Sequence, residues 1–596
     1  MRQKLALIKS PQKSAAKSST DLSGVADSPR GLRAPAPVDL PDDYYLTNFR
    51  QLLDFVVVTY GDLLNKEERA FASDFAELGE ASAKLYVRLL CRTPENFRLD
   101  KLSYPELGDL NEVATDLTSK GFLLIDPELA LPDYLALFTK PELIAQILSH
   151  PACDLSKTAV AKLKREALIE LYESTVASAQ TIAEGATADS EPQPNVHVLQ
   201  TCREPVFAVY KLCFFGSLYQ DMTDFVLRDI GYAQYEDYQL DEHSRAFSSR
   251  EQLQAHIEYF ELISARPEIH ELSIEDLLSF EKQLPLPVDS NLERRVQRLR
   301  NSIARQLERL EEFNSAIEIY SCSQRPPARE RQVRILIKQN KLQEAFNMCG
   351  EILEAPVNDE ENQVVSGIAQ RIARKLEQPF ENRWDYRPPT DTIEISNSGE
   401  SVELQAAAYM QKFGECFYVE NMLFDAVFGL AFWDVIFAPV EGVFFNPFQS
   451  APADFYDPEF KRQRSQLLQQ KFADLLIEGN LQREVFKQFD SKQGLQNPMV
   501  SWRYLDRDLL ETALSRIPLD NWLAIFERLL SDTRLHRNGL PDLILFPHER
   551  ESEPYKLIEV KGPGDSVQKN QIRWMRFFAD QGISHQVCHV RWCDSD

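Results

Sequence analysis

The sequence lacks the features that mark secreted, membrane and zinc-binding proteins. Its 596 residues contain nine cysteines, none of them in a Cys-x-x-Cys pair, which argues against a zinc finger and provides no disulfide framework. No apolar run reaches the ~18 residues that a membrane span needs, and the N-terminus, MRQKLALIKSPQKS, lacks a sustained apolar signal core. We therefore expect free thiols, no membrane association and a location inside the cell.

Positive charge is also scarce. The chain has 66 Lys and Arg against 92 Asp and Glu, a formal net charge of −26. This is the main observation against a nucleic-acid role, because duplex binding relies on phosphate neutralisation by Lys and Arg. Net charge is a sum over the whole molecule, however, and a local basic groove can coexist with acidic outer surfaces. What decides the question is where the Lys and Arg cluster.

The length indicates several domains with ample buried core, since the chain is about four times the ~150-residue domain prior. Its most informative stretch is residues 538 to 575. Two short apolar runs, Leu543 to Phe546 and Tyr555 to Val560, predict a β-hairpin that a helix follows. Asp542 starts the first strand, and Glu559 and Lys561 flank Val560 in the second. Period-two alternation then places Glu559 and Lys561 on one face.

Two carboxylates and an ammonium group in this arrangement suit metal-assisted phosphodiester hydrolysis. Hard divalent cations take oxygen ligands from rigidly held carboxylates, while substrate phosphate and water fill the other positions. The lysine can orient the attacking water or offset charge on the scissile phosphate. The alternative is a hairpin with solvated charges on one face. Asp490-Ser-Lys492 has the same acid-x-Lys spacing, but it lacks a preceding apolar strand and an upstream Pro-Asp, so we discard it.

A family resemblance rests on the residues of this stretch. Pro541-Asp542, Glu559-Val560-Lys561-Gly562-Pro563, Gln571 and Trp574-Met575 resemble the signature of the VRR-NUC branch of the PD-(D/E)XK nucleases. Residues 43 to 596 resemble the Fanconi-associated nuclease family of structure-selective DNA repair enzymes. The family's ubiquitin-binding zinc finger has no counterpart here, which favours the shorter, bacterial-type form. The resemblance implies a multidomain, mainly α-helical protein with a C-terminal α/β PD-(D/E)XK nuclease domain.

Composition shifts and the resemblance together predict six segments. They are a flexible tail at 1–41, an N-terminal helical DNA-binding region at 42–135, a SAP-like helical module at 136–177, a linker or loop at 178–195, a helical TPR-like region at 196–385 and the nuclease domain at 386–596. Phe313-x-x-Ala316 and Leu342-x-x-Ala345 stand 29 residues apart, near the ~34-residue tetratricopeptide period.

The resemblance also implies a set of metal ligands. The predicted catalytic residues are Asp542, Glu559 and Lys561. The predicted ligands of one or two Mg²⁺ or Mn²⁺ ions are Glu420, Asp542, Glu559 and Val560. Glu420 lies 13 residues before Trp433, in the first turn of a helix predicted from about residue 420. A glutamate there can instead simply favour the helix dipole. Glu415, which follows Gly414, is the alternative ligand.

A second set of residues is predicted to bind DNA phosphates. The family has a basic pocket for a DNA 5′ phosphate in its helical layer. Arg329 is our leading residue for it, on a helix predicted to begin after Pro326-Pro327. Ordinary Glu–Arg pairs along that helix are the alternative. The complete set of predicted phosphate contacts is Arg329, Arg331, Arg334, Arg534, Arg537, Lys569 and Gln571.

Three functions are weighed. The first is a divalent-metal-dependent DNA endo- and exonuclease, a phosphodiesterase type I-like hydrolase acting on 5′ flaps and in the 5′-to-3′ direction, with a role in interstrand crosslink repair. The second is a helical-repeat repair scaffold with an inactive nuclease fold. The third is an RNase on the same fold, because neither the metal site nor phosphate contacts read the 2′-hydroxyl. The expected partner is flap, nicked, branched or crosslinked DNA. The expected location is the cytoplasm of a bacterium, with the nucleoid, or the nucleus of a eukaryote.

Overall fold

The structure is a computed structural model that describes residues 43–92, 95–149, 155–182, 196–229, 231, 233–265, 268–548 and 553–593. The predicted tail at 1–41 and most of the predicted linker at 178–195 lie outside these ranges. The chain divides into two compact units, Asp39–Met222 and a larger one that includes Thr223–Asp596. In the described ranges, no helix is both long and apolar enough to cross a membrane.

The smaller unit is helical with one small sheet. Its helices are α1 Tyr44–Tyr60, α2 Lys66–Ala76, α3 Glu80–Leu90, α4 Leu110–Ser119, α5 Leu131–Leu135, α6 Lys140–Ser149, α7 Lys157–Ala161, α8 Arg165–Ile182 and α9 Glu204–Phe215. The strands β1 Asn96–Arg98, β2 Leu123–Ile125 and β3 Val198–Thr201 pair antiparallel in the order β1-β3-β2. The predicted SAP-like segment contains α6, α7 and the first part of α8. These three helices share a small buried cluster formed by Ile147, Val160 and Leu168.

Residues 198–215 complete this unit, although the sequence assigned them to the TPR-like region. Strand β3 lies between β1 and β2. Phe207 of α9 contacts Phe49 of α1, with ring centroids 5.2 Å apart, and Tyr210 contacts Phe71 of α2 at 5.4 Å. The division at Met222 therefore differs from the predicted boundary at 195, because long-range strand pairing and aromatic packing outweigh the linker composition just before it.

The larger unit begins with a helical layer that follows the predicted repeat. Its helices are α10 Thr223–Asp229, α11 Arg250–Ser264, α12 Ile274–Lys282, α13 Ser290–Arg309, α14 Phe313–Ser321, α15 Ala328–Lys338, α16 Leu342–Glu354 and α17 Asp359–Leu376. Phe313 and Leu342 are the first residues of α14 and α16. Helices α15, α16 and α17 share a core that includes Val333, Ala345 and Ile368. This region is helical, as the sequence predicted.

The C-terminal part of this unit holds a five-stranded mixed sheet. Its strands are β4 Thr390–Ser396, β5 Gly414–Tyr418, β6 Leu543–Pro547, β7 Lys556–Lys561 and β8 His585–Cys593, in the order β4-β8-β7-β6-β5. Pairs β4–β8 and β7–β8 are parallel, and β5–β6 and β6–β7 are antiparallel. The predicted hairpin of β6 and β7 is confirmed.

Helices cover both faces of the sheet. They are α18 Val402–Met410, α19 Leu423–Ala431, α20 Trp433–Ile436, α21 Glu459–Gln463, α22 Ser465–Leu475, α23 Asn480–Ser491, α24 Arg507–Arg516, α25 Leu519–Ser531, α26 Thr533–His536 and α27 Lys569–Asp580. Ile558 and Val560 of β7 pack with Met410 of α18, while Leu557 packs with Trp574 of α27 on the other face. Strand alternation therefore directs Glu559 and Lys561 to the α27 face.

The helix predicted from about residue 420 is present, but it begins later than expected. This helix, α19, begins at Leu423, because strand β5 occupies Gly414–Tyr418 and a turn follows the strand. Pairing with β6 holds β5 extended, and the sequence did not predict this strand. Gly414 suits the pairing, because a Cβ there would lie 2.2 Å from the carbonyl oxygen of Phe546. Glu420 consequently lies in the β5–α19 turn and not in a helix.

Candidate active site

Asp542 stands at the entrance of β6, where two backbone contacts hold it. Its Oδ2 accepts a hydrogen bond from the N–H of Val560 at 2.8 Å, and its carbonyl oxygen accepts from the N–H of Val419 at 2.8 Å. The side chain is 7% exposed. Gly539 provides the sharp turn before it, with φ +91° and no room for a Cβ beside Asn570. The side chain of Asp542 is thereby fixed to the backbone of Val560, the central residue of Glu559-Val560-Lys561.

Glu559 is buried completely and only half of its carboxylate is hydrogen-bonded. Its Oε1 accepts from Lys561 Nζ at 2.7 Å and from Gln571 Nε2. The N–H of Gln568 donates to Gln571 Oε1 at 2.8 Å, which turns the amide nitrogen of Gln571 toward Glu559. Glu559 Oε2 has no hydrogen-bond partner in the part of the chain that the structure describes. Lys561 is 8% exposed and contacts Glu559, while Asp542 contacts the intervening Val560. The structure therefore brings all three predicted catalytic residues together.

Negative charges on both Asp542 and Glu559 would be electrostatically unfavourable. Burial, together with the nearby Glu420 and Glu403, raises the pKa of Asp542 to about 6, although the N–H of Val560 and the charge of Lys561 act to lower it. Burial and the charge of Asp542 raise the pKa of Glu559 to about 8, opposed by Lys561. Buried carboxylates side by side need more positive charge than one lysine supplies. Carboxyls perturbed in this way are typical of functional sites.

A third carboxylate reaches the site from the β5–α19 turn. Asn421, which adopts the left-handed conformation with φ +48°, accepts at its Oδ1 from the N–H of Leu540 at 3.3 Å and donates from Nδ2 to Glu420 Oε1 at 3.5 Å. Tyr418 Oη also donates to Glu420. These contacts hold the exposed Glu420 next to the Asp542 strand.

The alternative ligand, Glu415, lies at the other end of β5. It pairs with Phe546, four residues along β6 from Asp542, which corresponds to roughly 13 Å at the rise of a β-strand. Glu403 of α18, by contrast, is close enough to Asp542 to raise the pKa of its carboxyl. The sequence analysis missed Glu403, because nothing in its helical pattern tells which face of α18 meets the strand ends.

The donor set fits a hard divalent cation that binds with substrate. No three His, Cys, Asp or Glu side chains of the described residues form a ready-made metal site. Mg²⁺, however, is commonly held by one or two carboxylates while water and substrate phosphate complete the octahedron. The unpartnered Glu559 Oε2 is the observation that favours a cation here. Val560, predicted as a ligand, can offer only its main-chain carbonyl.

The structure gives each predicted arginine of α15 a carboxylate partner. Arg329 Nη2 contacts Glu361, Arg331 Nη2 contacts Glu308, and Arg334 Nε contacts Glu330. The side chains of Glu361 and Glu308 are 2% and 1% exposed, so these arginines neutralise buried charge. Of the three pairs, only Arg334–Glu330 is a local pair along the helix of the kind that the sequence left open, since Glu361 lies on α17 and Glu308 on α13. A 5′-phosphate pocket built on Arg329 therefore requires an ion pair to break first.

The other predicted phosphate contacts lie outside α15. Arg537, just after α26, donates from Nη1 to Tyr456 Oη at 2.5 Å. Lys569 and Arg334 line one cavity of about 540 Å³ together with Arg371. Gln571 contacts Glu559 directly and is thus placed inside the carboxylate site. Arg534 is exposed and close to Arg298 of α13.

A second arginine group was only partly visible in the sequence. We name Arg294, Arg298, Arg325 and Arg534 the α13 arginine cluster. Burial and the neighbouring guanidinium groups together lower the pKa of Arg298. Arg294 and Arg325 both approach the single carboxylate of Asp457, at 3.6 and 3.5 Å. Arg294 and Arg298 share a helical stripe that sequence can show, but Arg325 and Arg534 join them only through the fold.

Comparison with known families and relatives agrees with these features. The VRR-NUC domain model matches residues 477–592, and the FAN1 HTH domain model matches residues 43–124. The Fanconi-associated nuclease 1 homolog of Pseudomonas aeruginosa is 35% identical over 572 residues, which cover 94% of this chain and 98% of the relative. The homolog of Arabidopsis thaliana is 24% identical over 92% of this chain and 67% of its own length.

Solved structures agree as well. The crystal structure of paFAN1 bound to DNA with a two-nucleotide 5′ flap and a gap superposes with a TM-score of 0.77 and 33% identity, covering 94% of this chain and 100% of that chain. The complex with a one-nucleotide 5′ flap gives a TM-score of 0.74 over 93% of this chain. Since the similarity to the Pseudomonas nuclease extends over almost the whole of both sequences, the chain belongs to the Fanconi-associated nuclease family.

Proposed function

We propose that this protein is a structure-selective DNA nuclease that hydrolyses phosphodiester bonds at 5′ flaps and related branched DNA during DNA repair. The observation that supports this most directly is the buried Asp542–Glu559 pair beside Lys561, in which one carboxylate oxygen of Glu559 has no hydrogen-bond partner in the described part of the chain. Paired carboxylates of this kind suit metal-assisted hydrolysis. The relatives named above are nucleases, and paFAN1 has been crystallised with 5′ flap DNA.

Each residue of the site has a distinct proposed role. Family nucleases depend on a divalent metal, and Asp542, Glu559, Glu420 and the carbonyl of Val560 would hold one or two Mg²⁺ or Mn²⁺ ions. A cation bound there would polarise the scissile phosphate and lower the pKa of a water molecule. Lys561 orients the attacking water or offsets charge that develops on the phosphate. Gln571 keeps Glu559 in place, and Asn421 ties Glu420 to the strand of Asp542.

Substrate selection is proposed to depend on the α13 arginine cluster rather than on α15. Of these four guanidinium groups, only those of Arg294 and Arg325 contact a carboxylate within the described residues, and that carboxylate is Asp457, so the cluster has spare capacity for a phosphate. Arg537 contacts Tyr456, the residue next to Asp457, and Asp542 follows Arg537 closely in sequence. A 5′ phosphate anchored at the cluster would stand at a fixed distance from the carboxylates. That distance would act as a ruler measured in nucleotides.

The two alternatives predict different chemistry. An inactive scaffold has no need of a buried, electrostatically costly pair such as Asp542 and Glu559, so the pair favours an active enzyme. An RNase would use the same carboxylates and phosphate contacts, and only recognition of the 2′-hydroxyl separates it from a DNase. The proposed roles in interstrand crosslink repair and at the nucleoid follow from the family assignment and depend on the activity being present.

The test is a cleavage assay on matched substrates. End-labelled flap, nicked and single-stranded DNA, and the flap made of RNA, are incubated with the protein and Mg²⁺, Mn²⁺ or EDTA. We expect metal-dependent cleavage near the junction of the DNA flap and at least about tenfold slower cleavage of unbranched single strands. Absence of cleavage with either metal would favour the scaffold, and faster cleavage of the RNA flap would favour the RNase.

A further inference from the structure

A cavity of about 250 Å³ lies between α17 and α27, apart from the carboxylate site. We name it the α17–α27 pocket. Its lining contains four arginines, two aspartates, two aromatic rings and an amide: Asp359, Asn362, Arg383, Trp384, Arg528, Arg573, Arg576, Phe577 and Asp580. Four positive charges against two negative ones leave the lining with a formal charge of +2. Nothing in the proposed nuclease reaction uses these residues.

Two of the arginines are held away from bulk water. Arg573 is 5% exposed and donates to the neutral amide of Gln363 at 2.8 Å. Arg528 contacts Asp359 at 3.0 Å, and its side chain is 11% exposed. Burial lowers the pKa of both guanidinium groups. The Nε of Arg528 is buried and has no hydrogen-bond partner within the described residues. A buried donor without an acceptor is costly, and a ligand oxygen would satisfy it.

Aromatic rings shape the pocket and fix the arginines. Arg528 lies over the ring of Phe577, 4.7 Å from its centroid, and Arg576 over the ring of Trp384, at 5.6 Å. The indole N–H of Trp384 donates to Asn362 Oδ1 at 3.1 Å, which holds the ring against α17. Arg576 also approaches Asp580 at 3.7 Å. Guanidinium groups that are held in place around one cavity are suited to bidentate recognition of phosphate.

Size and charge together define the ligand class. The cavity is slightly smaller than the ~300–1,000 Å³ typical of sites for drug-sized molecules, and it is too small for a nucleic-acid duplex. We propose that the α17–α27 pocket binds a small phosphate dianion, either inorganic phosphate or the phosphate of a mononucleotide. Such a ligand would connect the helical layer to α27, whose residue Gln571 contacts Glu559.

The test is isothermal titration of the full chain in EDTA at constant ionic strength. Inorganic phosphate, 5′-dAMP and deoxyadenosine are the three ligands, so the phosphate and the nucleoside are examined separately. Arg383→Glu with Arg576→Glu changes the formal charge of the lining from +2 to −2. The matched control is Arg374→Glu with Lys375→Glu, an equal charge change on exposed residues at the far end of α17, roughly 20 Å from Asp359.

We expect phosphate to bind and its Kd to rise at least about tenfold in the Arg383/Arg576 variant, as loss of charge-assisted hydrogen bonds implies. The Arg374/Lys375 control should bind as wild type does, and deoxyadenosine should not bind. Tighter binding of 5′-dAMP would identify a mononucleotide, and equal binding would identify the phosphate group alone. Phosphate binding that survives in the Arg383/Arg576 variant but disappears in Arg298→Gln/Arg325→Gln would overturn the proposal, as would no binding at all.

Discussion

Two regions of the larger unit bury glutamate in opposite ways. In the helical layer, Glu308 contacts Arg305, Arg331 and Lys338, and both oxygens of Glu361 accept hydrogen bonds from Arg329. In the sheet, Glu559 lies beside a second carboxylate, its Oε1 accepts from Lys561 and Gln571, and its Oε2 has no hydrogen-bond partner among the described residues. In the first arrangement each buried glutamate has cation partners, which stabilise the fold. The second is unbalanced, and we infer that a cation and substrate complete it.

The arginines repeat the same contrast. Each arginine of α15 contacts a buried glutamate, while in the α13 arginine cluster Arg294 and Arg325 share Asp457, and Arg298 and Arg534 form no ion pair with a carboxylate of the described residues. The family resemblance favoured Arg329 for phosphate. We infer that surplus charge, not the presence of arginine, distinguishes a binding surface from an internal ion pair. The following variants separate the two kinds of site.

The largest effect should come from the unbalanced carboxylates. Asp542→Ala should lower the rate of flap cleavage by a factor of about 10³ or more, because a metal ligand and its charge are lost. DNA binding should remain within a few-fold of wild type. The control is Asp490→Ala, which removes the other acid-x-Lys aspartate, whose side chain contacts Arg507. Equal loss in both variants would show that Asp542 has no special role.

The second effect concerns the phosphate anchor. Arg298→Ala with Arg325→Ala should reduce the preference for a 5′-phosphorylated flap by about ten- to a hundredfold and spread the cut positions, since two charge-assisted contacts are removed. Products are mapped at nucleotide resolution with and without the terminal phosphate. Arg331→Ala and Arg334→Ala are the comparison and should keep the preference. Loss of it in those variants alone would return the anchor to α15.

The third effect is on the stability of the fold, and it concerns the arginines of α15. Arg329→Ala leaves Glu361, whose side chain is 2% exposed, without its cation. We expect a loss of about 2 kcal/mol in the free energy of unfolding, below the full value for a buried pair because Arg329 is 25% exposed. Arg298→Ala, from the cluster, should change it by no more than about 0.5 kcal/mol. Urea denaturation measures both, and the reverse order would contradict the contrast between matched and surplus arginines.

The smallest effect is on salt dependence. DNA affinity should fall with salt despite the net charge of −26, because surplus cations displace counterions from phosphates. Each lost contact should reduce the slope of log K against log salt by about 0.9. Arg298→Ala should therefore flatten the slope by about one, and Arg329→Ala should not. Fluorescence anisotropy over a salt series gives the slopes. Identical slopes in the two variants would argue against a separate binding cluster.

How far sequence reasoning reached depended on whether the deciding contacts were local. The β6–β7 hairpin, α27 and the alternation that places Glu559 with Lys561 follow from patterns within 40 residues of chain. Strand β5 did not, because its extended form is imposed by pairing with β6, more than 100 residues away. The position of Glu420 was mistaken for the same reason, although its proximity to Asp542 was anticipated from the family.

The charge partners were the least accessible from sequence. Glu361 lies 32 residues after Arg329, and Glu308 lies 23 residues before Arg331. No periodicity connects them, so matched and surplus arginines look alike in the sequence. Glu403, Arg325 and the α17–α27 pocket were missed because each depends on which helix face packs against which neighbour.

The central claim is that the unbalanced carboxylate pair holds a divalent cation, and it can be tested without DNA. Mn²⁺ binding is measured by isothermal titration calorimetry for wild type, Glu559→Gln and Asp490→Asn, with thermal unfolding of each variant as the check on folding. Glutamine keeps the shape of Glu559 and removes its charge. We predict that the Kd for Mn²⁺ rises at least about tenfold in Glu559→Gln, whose folding is retained, and is unchanged in Asp490→Asn. Equal Mn²⁺ affinity in all three proteins would contradict the account.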